Sequence, residues 1–347
     1  MGHALPRLAL GALLLGALAI AAFQVPAVQD ALFQRALRQA MVAPPPLPPG
    51  LTVVVCGSAS PLGNSPDHAQ ACLAVLTPEH FFLFDVGARA PLRLAQARLP
   101  LGRLDGVFLT HFHSDHIAGI PDVNLASWVA GRRAPLTVYG AQGVDRITSG
   151  FNEAYALDRG YRVAHHGEAT LPPNLGPLVS KEIPDAGVVW EDGALTIRAV
   201  AVDHAPATPA LGYRIDYAGR SVVISGDSNA SNALFALAEG ADLLFHDALS
   251  RTLLDPMMAR AAAAGLDPLP QIMLDVTDYH AEVGTLLEPA ESAGIKQLVL
   301  YHLVPVPPNA LAERLFRRGL PKTVHLAKDL ERFELPPHSE ALRRYAN

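Results

Sequence analysis

The sequence has few of the features that reveal a function through composition alone. Its 347 residues include only two cysteines, Cys56 and Cys72, which excludes a disulfide-built scaffold and any four-cysteine metal site. Charged residues make up 17% of the chain, and 27 basic against 33 acidic residues leave a net charge of −6. A chain without a positive excess is disfavoured as a dedicated nucleic-acid binder. Half of the residues are hydrophobic, which is ample for a buried core.

Two common catalytic signatures are also missing. No Gly-Lys-Ser/Thr follows the glycine-containing segment from Cys56 to Gly63, so that segment is not a phosphate loop. No Gly-x-Ser-x-Gly elbow occurs, which weakens a serine-hydrolase interpretation. Histidine, by contrast, is frequent: the chain has 14, and several lie close together.

The N-terminus predicts a membrane-directed segment. From Leu8 to Phe23 sixteen residues run without a charge, preceded by Arg7. As a helix this run would be about 24 Å long, slightly short of a ~30 Å hydrocarbon core. Residues 1–27 are therefore predicted to be a signal peptide or a membrane anchor, and a buried N-terminal core helix is the alternative. Either targeting interpretation exports the rest of the chain.

A spacer separates this segment from the main body. Residues 28–50 predict an amphipathic helix followed by a stiff proline-rich tract, since Pro44, Pro45, Pro46, Pro48 and Pro49 stop any helix. Residues 51–340 then form one predicted domain in which short β-like runs alternate with helical stretches. That order favours a layered α/β body with helices on the outside.

Some local features of the body leave alternatives open. The proline-containing segments Leu171–Gly187 and Val304–Pro308 are predicted to be loops. Cys56 and Cys72 fall on neighbouring predicted strands, where they would form a disulfide after export or remain two buried thiols. His165 and His166 precede the first loop and would line a pocket mouth or lie in solvent.

The segment from His111 to His116 carries the strongest chemical signal. It reads His-Phe-His-Ser-Asp-His and directly follows the apolar run Gly106–Leu109, so four ligand-type side chains lie at the end of a predicted strand. Imidazole and carboxylate donors suit Zn²⁺ and, less selectively, iron or manganese. Such a density of polar groups is costly to bury without a ligand. The pattern therefore predicts a metal site.

This pattern strongly resembles the metallo-β-lactamase superfamily, and later parts of the chain match it in order. His204 follows the predicted strand Leu195–Val202, Asp227 lies in Ser225-Gly226-Asp227, and His302 follows Gln297–Tyr301. The resemblance covers about residues 51–335. It implies a four-layer αββα sandwich, here preceded by the N-terminal hydrophobic helix.

The resemblance also implies the ligands of a two-zinc site. His111, His113 and His204 would hold one zinc ion, and Asp115, His116 and His302 would hold the second. Asp227 would bridge them. A water held between two cations loses a proton near neutral pH, and the ions neutralise charge that develops on the attacked group. We therefore expect a hydrolase that uses a metal-bridging hydroxide, with Asp115 as part of its catalytic machinery.

A second group of residues resembles the ribonuclease Z and arylsulfatase-like branch. Phe245-His246-Asp247-Ala248 follows an apolar run, and His280 lies in Asp278-Tyr279-His280-Ala281-Glu282. The resemblance implies that His280 protonates the departing oxygen while Asp247 orients it. Asp247 stands where the branch has glutamate, and a surface role for His280 is the alternative. Asp85 would support a metal-bound histidine.

These residues predict a binuclear metallohydrolase that cleaves a phosphodiester or sulfate ester. We expect a small-molecule ester as substrate, because export and the acidic charge balance both disfavour a nucleic acid. The alternatives are a ribonuclease Z-like 3′-tRNA processing endonuclease, a lactonase or β-lactamase, and a non-catalytic metal-binding module. The expected location is the periplasm or outer face, with membrane attachment through the N-terminal segment. The family resemblance also leaves a homodimer open.

Overall fold

The computed structural model describes residues 20–42, 47, 49–62 and 65–346. Contacts divide the chain into two units, residues 1–46 and 47–347, and this boundary falls within the predicted proline-rich spacer. In the first unit the described part contains helix α1, Pro26–Ala40. Most of this helix lies in the segment for which the sequence predicts an amphipathic helix, residues 28–50.

The predicted hydrophobic N-terminal helix lies mostly outside the described residues. Of the run from Leu8 to Phe23, only residues 20–23 are described. Among the helices that the structure does describe, none combines the length and the apolar character needed to cross a bilayer.

The second unit is built on two mixed β-sheets. In chain order its strands are β1 Leu51–Gly57, β2 Cys72–Leu76, β3 Phe81–Phe84, β4 Gly106–Phe108, β5 Thr137–Gly140, β6 Val179–Glu182, β7 Ala186–Asp192, β8 Leu195–Val202, β9 Ala210–Tyr217, β10 Arg220–Ile224, β11 Leu243–Leu249, β12 Gln297–Val304, β13 His325–Leu326, β14 Arg332–Leu335 and β15 Arg343–Tyr345. The first sheet has the order β15-β14-β1-β2-β3-β4-β5-β6, and the second has the order β13-β12-β11-β10-β9-β8-β7.

Helices connect the strands and cover the sheets. In chain order they are α2 Ala90–Gln96, α3 Ser114–Ile117, α4 Ile120–Val129, α5 Val144–Ala154, α6 Ala156–His166, α7 Asn232–Leu237, α8 Arg251–Ala263, α9 Leu269–Asp275, α10 Leu287–Ser292 and α11 Ala310–Phe316. Short 3₁₀ turns occur at Leu101–Arg103, Pro173–Leu175 and Val283–Leu286.

Three apolar layers hold this unit together. The central layer lies between the sheets and contains stacked rings such as Phe108 and Tyr139, whose centroids are 4.4 Å apart. A second layer joins the outer face of the first sheet to α2, α4 and α5. A third joins the outer face of the second sheet to α7, α10 and α11. This arrangement confirms the predicted α/β body with helices outside two sheets.

One predicted loop is wrong. The segment Leu171–Gly187 contains strand β6 and the start of β7, in addition to its 3₁₀ turn. Strand β6 lies at the edge of the first sheet, and its side chains are exposed or only partly buried. An edge strand of this kind needs no apolar alternation, so its sequence, Val-Ser-Lys-Glu, carries no strand signal.

The two cysteines form a disulfide, which settles the alternative that the sequence leaves open. Cys56 on β1 and Cys72 on β2 are bonded across a sequence separation of 16 residues, and both side chains are fully buried. A cross-link of this loop length restricts the unfolded chain and stabilises the fold by roughly 3 kcal/mol.

We expect reduction to lower the stability of the protein measurably. Dithiothreitol should lower the melting temperature of the wild-type protein by several degrees, because a loss of roughly 3 kcal/mol is large against a typical folding free energy. The double variant Cys56→Ala/Cys72→Ala is the matched control and should melt at one temperature with or without dithiothreitol. If the wild-type melting temperature is unchanged after full reduction, verified by thiol titration, the disulfide has no stabilising role.

Candidate metal centre and active site

The predicted ligands meet at one edge of the two sheets, where several strands end. His111 to His116 follow β4, with His116 on the short helix α3. His204 follows β8, Asp227 follows β10, and His302 lies in β12. Side chains separated by nearly two hundred positions are thereby brought within contact distance.

The first group consists of His111, His113 and His204, with Asp227 beside them. His111 Nε2 lies 2.9 Å from His113 Nδ1, and His204 Nε2 lies 3.3 Å from the same atom. Asp227 Oδ2 lies 3.9 Å from both His111 Nε2 and His204 Nε2. A tetrahedral zinc ion, with bonds of ~2.0–2.1 Å to nitrogen, spaces its ligand atoms about 3.3 Å apart. The three rings therefore have the separation that such an ion requires.

The second group consists of Asp115, His116 and His302, again with Asp227. His302 Nε2 lies 3.0 Å from Asp115 Oδ2, and His116 Nε2 lies 3.2 Å from Asp227 Oδ2. Asp227 thus belongs to both groups, as expected for a bridging carboxylate. The two groups have the membership that the family resemblance implies.

Buried atoms without ordinary partners show that these residues fit metal ions. Asp227 Oδ1 and His302 Nδ1 are buried, have no hydrogen-bond partner among the described residues, and face each other at 3.3 Å. Buried polar atoms are rarely left in that state unless an ion or a water satisfies them. Together with the convergent imidazole nitrogens, they make this a binuclear His/Asp metal site.

His302 reaches the site through a β-bulge. In the ladder between β11 and β12, Asp247 pairs with Tyr301 and Ala248 pairs with Leu303, which leaves His302 as the extra residue. Regular alternation would turn His302 toward the outer helices, since Tyr301 faces the core between the sheets. The bulge and a left-handed φ of 43° direct it to the site instead.

Hydrogen bonds outside the metal groups fix how the histidine rings are oriented. His116 Nδ1 lies 2.8 Å from Asp85 Oδ2, and Thr110 donates to Asp85 from both its backbone N–H and its hydroxyl. His204 Nδ1 donates to the backbone carbonyl of Tyr279 at 2.9 Å. In each case the opposite nitrogen, Nε2, is left to face the metal group. The predicted supporting role of Asp85 agrees with this geometry.

Burial keeps the first group of histidines neutral. It lowers the pKa of His111, His113 and His204, although the negative charge of Asp227 acts in the opposite direction. Neutral imidazole is the form that binds a metal. For His116, burial also lowers the pKa, but Asp227, Asp85 and Asp115 together outweigh it and raise the pKa well above its usual value. Three carboxylates thus favour a positive charge at this ring. A bound metal ion would supply that charge in place of a proton.

His280 and Asp247 form a second unit beside the metal groups. His280 Nδ1 lies 2.9 Å from Asp247 Oδ2, and its ring stacks on His302 with centroids 5.4 Å apart. Asp247 is fully buried, and His246 Nδ1 lies 3.0 Å from its other oxygen, Oδ1. The surface alternative for His280 is therefore wrong: its side chain is buried and faces the site.

The charges around His280 favour its protonated form. Burial lowers the pKa of His280, but the hydrogen bond with Asp247 and the charges of Asp227 and Asp247 outweigh it and raise the pKa above its usual value. Burial raises the pKa of Asp247, whereas its hydrogen bonds with His246 and His280 more than compensate and lower it. Asp247 is therefore an ionised partner that holds a proton on His280.

A small pocket of about 60 Å³ opens onto these groups. Its lining includes residues of both metal groups and the proposed acid, namely His113, Asp115, Asp227, His280 and His302. Its other lining residues are Ser60, Pro61, Leu62, Val276, Tyr279 and Val304. A substrate in this pocket would contact both metal groups and the proposed acid at once.

The structure also separates some residues from the site and adds others. His165 and His166 lie at the exposed end of α6 and are not among the residues that line the pocket. Sequence reasoning gave no role to Thr110, His246 or the Tyr279 carbonyl, each of which orients a site residue. The only available signal was their position next to predicted site residues.

Comparisons with known proteins agree with this geometry. A family model described as a beta-lactamase superfamily domain matches residues 80–303. A protein named ribonuclease Z from Mycobacterium sp. (strain KMS) is 34% identical over 294 residues, which cover 83% of this chain and 97% of that relative. The crystal structure of the metallo-β-lactamase fold protein YhfI from Bacillus subtilis superposes with a TM-score of 0.59 at 19% identity, covering 82% of this chain and 99% of the other. The short form of human tRNase Z gives 0.58 at 21% identity, with the same coverage.

The shared position of Asp227 predicts how substitutions change metal content. Wild-type protein should retain two ions per chain, one for each group, after dialysis against metal-free buffer. His204→Ala removes a ligand of the first group only and should retain about one, whereas Asp227→Ala weakens both groups and should retain less than one. His166→Ala, an exposed histidine outside the site, is the control and should retain the wild-type content.

Elemental analysis measures the metal content of each purified variant, and circular dichroism verifies that each variant is folded. Equal metal content in Asp227→Ala and the wild type would contradict a bridging carboxylate.

Proposed function

This chain belongs to the beta-lactamase superfamily, in the branch that includes ribonuclease Z, and is a metal-dependent hydrolase; from that membership we propose that it hydrolyses a phosphodiester bond. The observation that carries the proposal is the buried His280–Asp247 pair at 2.9 Å beside the metal groups. An acid in this place is needed when the leaving group is a poorly stabilised alkoxide.

The residues divide the reaction between them. When bound, the two ions supply a hydroxide near neutral pH and neutralise charge on the phosphate. Overall, a water oxygen would form the new P–O bond, and the bond from phosphorus to the leaving oxygen would break. His280 donates its proton to the leaving oxygen from Nε2, because Nδ1 is held by Asp247. Asp247 is the positioning residue, and His246 holds it from the other side.

The same acid bears on the other hydrolytic activities. A β-lactam releases nitrogen, for which an acid placed for an oxygen leaving group is no specific match, whereas a lactone releases an alkoxide and is separated from a phosphodiester only by the substrate panel below. A sulfate monoester shares the oxygen leaving group and stays a weaker candidate for this site. A non-catalytic metal-binding role needs neither His280 nor Asp247, although both are buried and aligned.

For the substrate, the comparisons support RNA more directly than the small ester that the sequence favoured. The curated relative is named ribonuclease Z, and the chain covers nearly all of its length. Cleavage of a phosphodiester near the 3′ end of a precursor tRNA is the activity that this name suggests. It uses the same hydroxide, ions and leaving-group acid.

A small phosphodiester outside the cytoplasm is the second candidate, and the disulfide favours it. Disulfides persist in oxidising compartments and are rare in the cytosol, where precursor tRNA is found. We propose an extracytoplasmic location on that ground and on the apolar N-terminal run. Cell fractionation tests it, since recovery with cytosolic markers would contradict it.

A substrate panel tests the proposed reaction. Metal-loaded protein should hydrolyse bis(p-nitrophenyl) phosphate, with weaker activity on p-nitrophenyl sulfate and little on nitrocefin, because the site is arranged for an oxygen leaving group and a β-lactam releases nitrogen. A homoserine lactone, which also releases oxygen, completes the panel. A precursor tRNA with a 3′ trailer belongs in the same panel. Turnover is followed by absorbance for the small substrates and by gel for RNA. Hydrolysis of nitrocefin alone, or of no substrate, would reject the phosphodiesterase.

Replacement of the acid should have an effect that depends on the leaving group. His280→Ala should lose about 10²–10⁴-fold in kcat for a diester with an aliphatic alkoxide, because that group must be protonated. With p-nitrophenolate, which departs as a stable anion, the loss should be small. The control is His165→Ala, which lies outside the pocket, and metal content is measured for each variant. An equal loss on both substrates would reject His280 as the acid.

A further inference from the structure

Part of the lining of this pocket, called the wall below, is apolar. Pro61, Leu62, Val276, Val304 and the ring of Tyr279 form it. Among the described residues that line the pocket, none is lysine or arginine. A site that binds a polyanion normally places such side chains where the extra phosphates lie.

Helices α8 and α9 make this wall part of a packed cluster. Val276 and Val304 belong to a buried apolar group with Leu249, Leu254 and Met273, against which Leu62 and Tyr279 pack. The wall is therefore supported from behind and does not need the substrate to form it. An apolar group placed against it loses water-exposed surface without paying for reorganisation of the protein.

The rim of the same pocket carries negative charge. Asp275 and Asp278 are exposed and directly precede the lining residues Val276 and Tyr279. Exposed Asp203 directly precedes the metal ligand His204. Asn229 ties these segments together, since its Nδ2 donates to the Asp278 carbonyl at 2.8 Å and to Asp203 Oδ2 at 3.4 Å. The Asp203 carboxylate and the backbone of Asp278 are thus held together, next to the site residues His204 and Tyr279.

We propose that this pocket selects phosphodiesters that carry a compact apolar or aromatic group next to the scissile phosphate and no further negative charge. The proposal rests on the phosphodiesterase function proposed above and favours its second candidate, the small phosphodiester, over RNA. The scissile phosphate brings one charge, which the two metal ions attract. The apolar wall receives the neighbouring group, and the rim carboxylates repel any additional phosphate. A polynucleotide, with a charge on every linkage, is disfavoured by the same features.

Matched p-nitrophenyl esters test this selection, because all of them release the same leaving group. Phenyl p-nitrophenyl phosphate should exceed methyl p-nitrophenyl phosphate by about tenfold in kcat/KM, since the phenyl ring buries more apolar surface. Thymidine 5′-p-nitrophenyl phosphate should exceed its 3′-phosphorylated analogue by about tenfold at low salt. That second ratio should shrink in 0.5 M NaCl, where screening weakens the repulsion.

Two variants assign the effects to the wall and the rim. Leu62→Asn should reduce the ratio of phenyl to methyl ester, while the melting temperature reports whether the fold is intact. Asp278→Lys should raise the rate on the 3′-phosphorylated nucleotide relative to its unphosphorylated partner. Asp192→Lys makes the same charge change at the other end of β8, about 26 Å from His204, and should leave that ratio at its wild-type value.

The outcomes separate this proposal from the function on which it rests. If metal-loaded protein cleaves none of the esters, the phosphodiesterase itself is rejected. If it cleaves methyl and phenyl esters equally, or if the 3′-phosphorylated nucleotide or precursor tRNA is preferred, the phosphodiesterase stands and this selection is overturned. Equal effects of Asp278→Lys and Asp192→Lys would overturn the role of the rim.

Discussion

The structure of the site depends on one buried carboxylate placed between two sets of histidines. Asp227 is 2% exposed and lies within 3.9 Å of ring nitrogens from both sets. A carboxylate and several imidazoles buried together, without cations, would leave lone pairs facing one another and polar atoms unsatisfied. The arrangement becomes favourable only when positive charge lies between these groups, so the fold as a whole has to hold them against local repulsion.

The backbone supplies this restraint at unusual positions. Asp85, which orients His116, and His302, which is itself a ligand, both have left-handed φ values, 58° and 43°. Such conformations are unfavourable for residues other than glycine and persist where the surrounding structure enforces them. Gly226, just before Asp227, has a φ of 63°, and a side chain there would approach Thr110 Cβ to 2.6 Å. Unfavourable backbone conformations and close packing thus occur at residues that are metal ligands, or that lie next to or orient them.

Most of the candidate site could be predicted from the sequence. The seven ligands follow apolar runs in a fixed order, so the strand ends and the family pattern identify them together, although His204 or His302 alone would be ambiguous. The disulfide could not be predicted, because pairing depends on the register between β1 and β2. Strand β6 was missed because an exposed edge strand lacks apolar periodicity. The apolar wall was missed because Leu62 and Val276 meet only in the folded chain.

The register of β11 and β12 connects the metal chemistry to the acid. Asp247 pairs directly with Tyr301, and the bulge immediately after this pair turns His302 to the same side as Asp247. The metal ligand and the carboxylate that orients His280 are therefore held by adjacent strands, and His280 stacks on His302. A change in this register would move both, which couples the position of the proposed acid to that of the metal groups. The metal groups and the His280–Asp247 pair, which the proposed reaction would need on opposite sides of one phosphorus atom, are in this way held by a single irregularity in one ladder.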